Sequence, residues 1–177
     1  AGAAAVIAVL YDANFGPNPE KYSSVSQYLI FNDSWGTNRG YCWRIGWESY
    51  MRLPLIHKLF GFGPDTFGIL TWPFRQESLD IYGVYFESAH NEYFQYLVTM
   101  GPFATIILFL ISSCARMMRF VKKQPWILAP LGATVCYGAQ AFVNTTLPIA
   151  TPVMWALLAV GLAMCRDVPE KLQPETL

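Results

Sequence analysis

The sequence predicts an all-α fold: a multi-pass integral membrane helical protein with a large extracytoplasmic loop containing short helices. Three observations carry this. Hydrophobic residues make up 54% of the chain and charged residues 14%, with the apolar ones in blocks rather than alternating, as a bilayer requires. Three such blocks occur in succession at 93–115, 126–144 and 149–165. Basic residues gather at their ends: Arg116, Arg119, Lys122 and Lys123 after the first block, Arg166 and Lys171 after the third. If all three blocks cross, both clusters fall on one side, which the positive-inside rule makes cytoplasmic.

The stretch 1–11 is apolar but would reach only about 16 Å as a helix, and a crossing needs roughly 20 residues. No basic residues open it as they would a secretory signal. It is expected to be the end of a truncated membrane helix, preceded by missing N-terminal membrane helices of the same protein. Segment 12–92 is expected to lie outside the membrane. It opens on Asn14, Gly16, Pro17, Asn18 and Pro19, a loop dense in turn residues. A short amphipathic helix is expected over 22–31 and a break over 32–37. A helix then runs over 38–53, capped by Thr37 or Asn38 and stopped by Pro54. Residues 61–67 form a compact glycine-containing loop, and 70–87 is aromatic and without an assignable pattern. The aromatic residues of this segment, Trp35, Trp43, Trp47 and Trp72 among them, suit a membrane interface or stacking on sugar faces, the interface being the simpler reading. Then come a membrane helix at 93–115, a cytoplasmic basic loop at 116–125, membrane helices at 126–144 and 149–165, and a cytoplasmic tail at 166–177.

The length suits one domain. A formal net charge of zero lacks the basic excess that nucleic acid demands, so no nucleic-acid partner is expected. Cys42, Cys114, Cys136 and Cys165 have neither zinc spacing nor redox pairing and are expected to pack. No metal-ligand spacing is visible, and no metal site is expected.

Two residues carry the candidate chemistry. His90 stands where the polar segment turns into the first apolar block. Ser88 is a plausible N-cap and Glu92 suits the first turn, while the helix dipole disfavours a charged imidazole. His90 is therefore expected to be neutral and able to accept a proton. A continuous helix would put residues 90, 94, 97, 101, 104 and 108 on one stripe, with Gly101 beneath His90 admitting a neighbouring helix or lipid chain. Pro102 would kink that helix by freeing the carbonyl of Val98. A histidine that only caps the helix or sits in the interface remains an equal reading. Arg39 opens the 38–53 helix, where a cation is misplaced unless an anion binds, and free N–H groups with a guanidinium suit phosphate. Arg44, with Glu48 and Arg52, reads most simply as a solvated strip, and Trp43, Trp47 and Tyr50 as packing. The loop at Gly61 and Gly63 lacks the following Lys–Ser/Thr of a phosphate loop and reads as a tight turn. His57 reads as structural.

The ordered residues resemble a known family. Asn38, Arg39, Gly40, Tyr41, Cys42 and Trp43 resemble the Arg-x-x-x-Trp element of the O-antigen ligase and O-antigen polymerase superfamily. Leu53–Pro54–Leu55 followed by Gly61–Phe62–Gly63 and Phe67 resembles its Pro-Leu … Gly-x-Gly-x-x-x-Phe element. His90–Asn91 and, after nine residues, Gly101 resemble the ligase His-Asn-x9-Gly motif. The resemblance covers about 37–115 and departs from the family pattern in Pro102, Ala104 and Leu53. It implies an inverting, metal-independent glycosyl transfer on the outer face of a bacterial cytoplasmic (inner) membrane, with no cofactor. The donor would be a lipid-linked glycan on undecaprenyl diphosphate and the acceptor a glycan, lipid or protein, with membrane lipid around the chain. Arg39 would hold the diphosphate and His90 would act as general base on the acceptor hydroxyl, or orient it. Asn91, Gly101, Arg44 and Trp43 complete the candidates as substrate-binding residues. The competing reading is a non-enzymatic lipid-linked glycan flippase or transporter component. Such a protein would place polar groups at mid-membrane depth. The three blocks hold no charge at their centres, only neutral groups such as Gln140, which favours the enzyme.

Overall fold

The structure is a computed structural model that describes residues 2–104, 106–145 and 147–166. Among these residues every regular element is helical: ten α-helices with short 3-10 turns between them. The all-α class therefore holds. The chain forms two compact units rather than one. The first holds the described residues up to His90 together with Phe94–Ala104, and the second holds Asn91–Tyr93 with the described residues from Ile106 onward.

In the first unit, α1 (Gly2–Phe15) ends at Gly16, where a Cβ would collide with the Asp12 carbonyl. Asn14 ties the next segment of chain to this helix. Its Nδ2 donates to the carbonyls of Leu10 and Leu29, both at 2.8 Å, and its Oδ1 accepts from Phe31 N–H at 2.7 Å. The amphipathic helix expected over 22–31 is instead a 3-10 turn, Pro19–Val25, followed by α2 (Ser26–Leu29). The central element is α3 (Trp35–Met51), with Arg52 as C-cap and Pro54 just beyond, as its sequence suggested. Then come α4 (Leu55–Phe60), α5 (Phe67–Leu70) and α6 (Arg75–Tyr82), the last closed by Gly83 in the left-handed region. Two small cores flank α3. One is Tyr41, Ile45 and Phe74, and the other is Phe67, Ala89 and Val98 with Trp43, Tyr50 and Phe94 packed on it. Gly46 lets the second form, since a Cβ there would come within 2.9 Å of both the Phe67 and Phe94 rings.

The block 93–115 is not one helix. It divides into α7 (Glu92–Met100), a 3-10 turn Pro102–Ala104, and α8 (Ile107–Phe120). Gly101 has φ +83, a value that a regular right-handed helix excludes, and Pro102 follows it. The helix therefore stops there instead of bending. In the second unit α8 joins α9 (Leu128–Ala141) and α10 (Ala150–Met164) around Leu110, Met117, Ile127, Met154 and Leu158. Gly161 has room for no side chain between Met117 and Pro130. Arg116 and Arg119 lie on the last turns of α8 rather than in a loop.

Among the described residues no helix is long and apolar enough to cross a membrane. Helices α8, α9 and α10 have 14, 14 and 15 residues, against the roughly 20 that a bilayer core requires. Large apolar side chains of these helices nevertheless face outward: Leu108, Ile111, Val135, Val153 and Val160 are all exposed.

Candidate functional site

The site is built on the start of α3. Gly36, Thr37 and Asn38 have φ of 59, 63 and 68, so a left-handed turn precedes the regular helix that Arg39 opens. The N-cap of α3 is Ser34, without a side-chain hydrogen bond, and Thr37 and Asn38, expected as caps, lie past it in the left-handed turn. A β-branched threonine in this region is an outlier, costing about 1–2 kcal/mol, and such strain gathers at functional sites. The turn folds back so that Arg39 Nη1 donates to the Gly36 carbonyl. The guanidinium is thereby aimed by its own loop.

One turn along, Trp43 reaches the segment that carries His90. Its Nε1–H donates to the Ala89 carbonyl at 2.8 Å, and its ring packs on Trp35 and Phe94 with centroids at 5.1 and 6.4 Å. The Ala89 N–H donates to Gln95 Oε1 at 2.8 Å. Ala89 is fully buried with both its backbone groups engaged.

His90 comes next in the chain, with φ 50. It is not on α7, which begins at Glu92, so the helical stripe expected to run from His90 to Gly101 does not exist. Ser88 caps the turn rather than the helix: its Oγ accepts from His90 N–H at 3.4 Å. The imidazole is half-buried. Burial first, and then the positive charge of Arg39, push its pKa below the ordinary value of 6.5. Neutrality was the expectation, but these causes differ from the helix dipole invoked for it. The structure thus brings Arg39 and His90, distant in sequence, within electrostatic reach of each other.

Gly101 has a different partner from the one expected. A Cβ on it would strike the Leu59 carbonyl, and a Cβ on Gly61, with φ 64, would strike the Thr99 carbonyl. The two glycines let the 61–63 loop and the end of α7 meet backbone to backbone. Phe62 N–H and Gly63 N–H both donate to the Thr99 carbonyl, at 2.8 and 3.1 Å. The Gly-x-Gly and His-Asn-x9-Gly elements are two halves of one contact. His57 belongs to it structurally, stacked on Phe62 at 4.1 Å.

Arg44 is committed elsewhere. Its guanidinium meets Asp33 at 3.0 Å, Glu77 at 2.7 Å and Glu48 at 3.3 Å. Asp33 foremost, against the opposing effect of burial and with help from Glu77 and Glu48, raises its pKa above the ordinary value. It cross-links the loop before α3 to α6. Cys42 is buried, and burial pushes its thiol up to about 12. Packing suits Cys42 and Cys165, while Cys136 is exposed.

Asn91 is buried and belongs to the second unit. So does Glu92, which sequence reasoning treated as a helix-dipole acid. It is buried at 2% exposure and accepts from Tyr137 OH at 2.9 Å, which also meets Thr151 Oγ1 at 2.8 Å. No local spacing could have paired residues 92, 137 and 151. Among the described residues no group of three or more His, Cys, Asp or Glu is placed to hold a metal ion.

The profile of the family described as O-Antigen ligase matches residues 1–109. No curated protein and no solved structure matches the chain.

Proposed function

The chain belongs to the O-antigen ligase family, and from that premise we propose that it is part of a multi-pass membrane glycosyltransferase that moves a glycan from undecaprenyl diphosphate to an acceptor hydroxyl. The reaction inverts the anomeric centre and uses no metal. It takes place on the extracytoplasmic side of a bacterial cytoplasmic membrane. Arg39 holds the diphosphate and offsets the charge that grows on it as it leaves. His90 removes the proton from the attacking hydroxyl. Asn91 contributes through its place next to His90, Gly101 by seating the end of α7, and Trp43 by holding the Ala89 carbonyl. Arg44 positions the start of α3 and does not touch substrate. The apolar outward residues of α8, α9 and α10 meet lipid or the remaining helices of the protein.

The observation that carries this reading is that α3, whose regular part Arg39 opens, holds through Trp43 the Ala89 carbonyl beside the half-buried His90, whose pKa burial first and Arg39 second lower. A cation within electrostatic reach of an imidazole that burial already favours as neutral supplies an electrophilic and a basic group together. The test is glycan transfer by the full-length protein in membranes. His90→Ala is expected to cost about 10²–10⁴ in rate, and Arg39→Ala to lose activity on a comparable scale. Normal product from both variants overturns the mechanism. Movement of carrier across the bilayer without covalent transfer would identify a flippase instead.

A further inference from the structure

A groove of about 300 Å³ on the first unit is lined by Asp65, Gly68, Ile69, Trp72, Tyr85 and Glu87, and none of these residues has a role in the site above. We propose that it binds a neutral sugar ring on the acceptor side of the reaction, the ring that carries or adjoins the attacking hydroxyl. The proposal rests on the transferase reading and adds a subsite to it.

A sugar ring presents an apolar C–H face and an edge of hydroxyls, and the groove offers a counterpart to each. Trp72 is 57% exposed, an indole with much of its surface left to solvent. Tyr85 packs against it in a T-shaped pair, at 80° with centroids 6.3 Å apart. The Arg75 guanidinium lies 4.6 Å from the Trp72 centroid and holds the ring in place. For the hydroxyl edge there are two carboxylates, Asp65 and Glu87, and neither is engaged by another described side chain. The wall is preformed. Tyr85 OH donates to the Gly68 carbonyl, and a Cβ on Gly68 would sit 3.4 Å from the Tyr85 hydroxyl oxygen and 3.6 Å from Glu87 Cα. A pocket whose walls are already fixed spends little binding energy on ordering itself.

Charge decides which part of the reacting system fits. Two carboxylates against the single guanidinium of Arg75 repel a diphosphate, so the donor's anionic end belongs with Arg39. A neutral ring has no such conflict. Position decides the side. Glu87 precedes His90 by three residues, so their Cα atoms are no more than about 10 Å apart. The groove therefore lies on the segment that leads directly into the proposed base.

Initial rates of transfer by the full-length protein in membranes, measured against acceptor concentration, test this. Trp72→Ala and Glu87→Gln are each expected to raise the acceptor KM about tenfold, leaving the donor KM and kcat unchanged. An unchanged acceptor KM in both variants, or a donor KM that moves instead, overturns the subsite. If the wild-type protein transfers nothing, the transferase reading fails and the groove is judged by itself. Tryptophan fluorescence is then titrated with the methyl glycosides of glucose, galactose and N-acetylglucosamine. Saturable quenching that disappears in Trp72→Ala upholds sugar binding. No quenching, or quenching by calcium chloride alone, overturns it.

Discussion

His90 is held in a backbone conformation that few residues other than glycine adopt, φ 50, between a fully buried alanine and a buried asparagine. Its pKa is low because of burial and of Arg39, and this sets a pH dependence. A general base works in its neutral form, which prevails above its pKa. Transfer should therefore be level through neutrality and fall only as pH drops through a value below 6.5. Arg39→Gln removes the second cause and leaves burial, so the acid limb of its residual activity should move to higher pH. Rate–pH profiles of both proteins check this, and a limb that stays in place rules out the coupling. Both residues were legible in the sequence as motif members, and neutrality of the imidazole was legible too. Their left-handed surroundings were not. Gly36 and Asn38 are ordinary in that region and His90 is mildly favoured there, but the β-branched Thr37 carries no signal for it.

At the scale of elements, Arg39 and Trp43 lie one turn apart on α3 because one must aim at the site while the other grips the segment bearing His90. Trp43→Phe keeps a ring against Trp35 and Phe94 but leaves the Ala89 carbonyl without its donor. It should cost about 1–2 kcal/mol of stability and lower kcat more than it raises either KM. Thermal unfolding and steady-state kinetics on one preparation separate the two effects. The body of the helix over 38–53 and its stop before Pro54 were readable from periodicity and breaker signals, but its start at Ser34 and the left-handed turn after it were not. The stop at Gly101 was misread as a kink, because the hydrophobic block continues past it and hydropathy cannot see φ. The glycine pair 61 and 101 was invisible for another reason. Each residue's need is set by a carbonyl on the other strand of the contact, which spacing does not encode.

For the whole molecule, class and family were legible and the division into two units was not. Composition and block structure mark an all-helical chain, but nothing in them marks Asn91–Tyr93 as belonging to the second unit while their chain neighbours belong to the first. The basic clusters at 116–123 and 166–171 and the exposed apolar residues of α8 to α10 lead to a topology prediction. In the full-length protein in inner membranes, a cysteine placed at Lys122 should react with a membrane-impermeant maleimide only after the membrane is opened. One placed at Ser24 should react in intact cells. The reverse pattern would invert the proposed sidedness.

The contact between Gly61 and Gly101 has a consequence for covalent continuity. It closes the intervening chain into a ring, held to α3 by Trp43 at Ala89, and an open tip on that ring is Gly83, exposed and with nothing within 4 Å of where a Cβ would stand. A break at such a tip leaves the backbone groups of the core paired, and the bond from buried Ser78 Oγ to the Val84 carbonyl, 2.6 Å, would then join the two halves. Two polypeptides divided between Gly83 and Val84 and expressed together should therefore reassemble and complement each other, whereas the same split carried out with Gly101→Val should not. Co-purification of one half on a tag carried by the other reads the result directly.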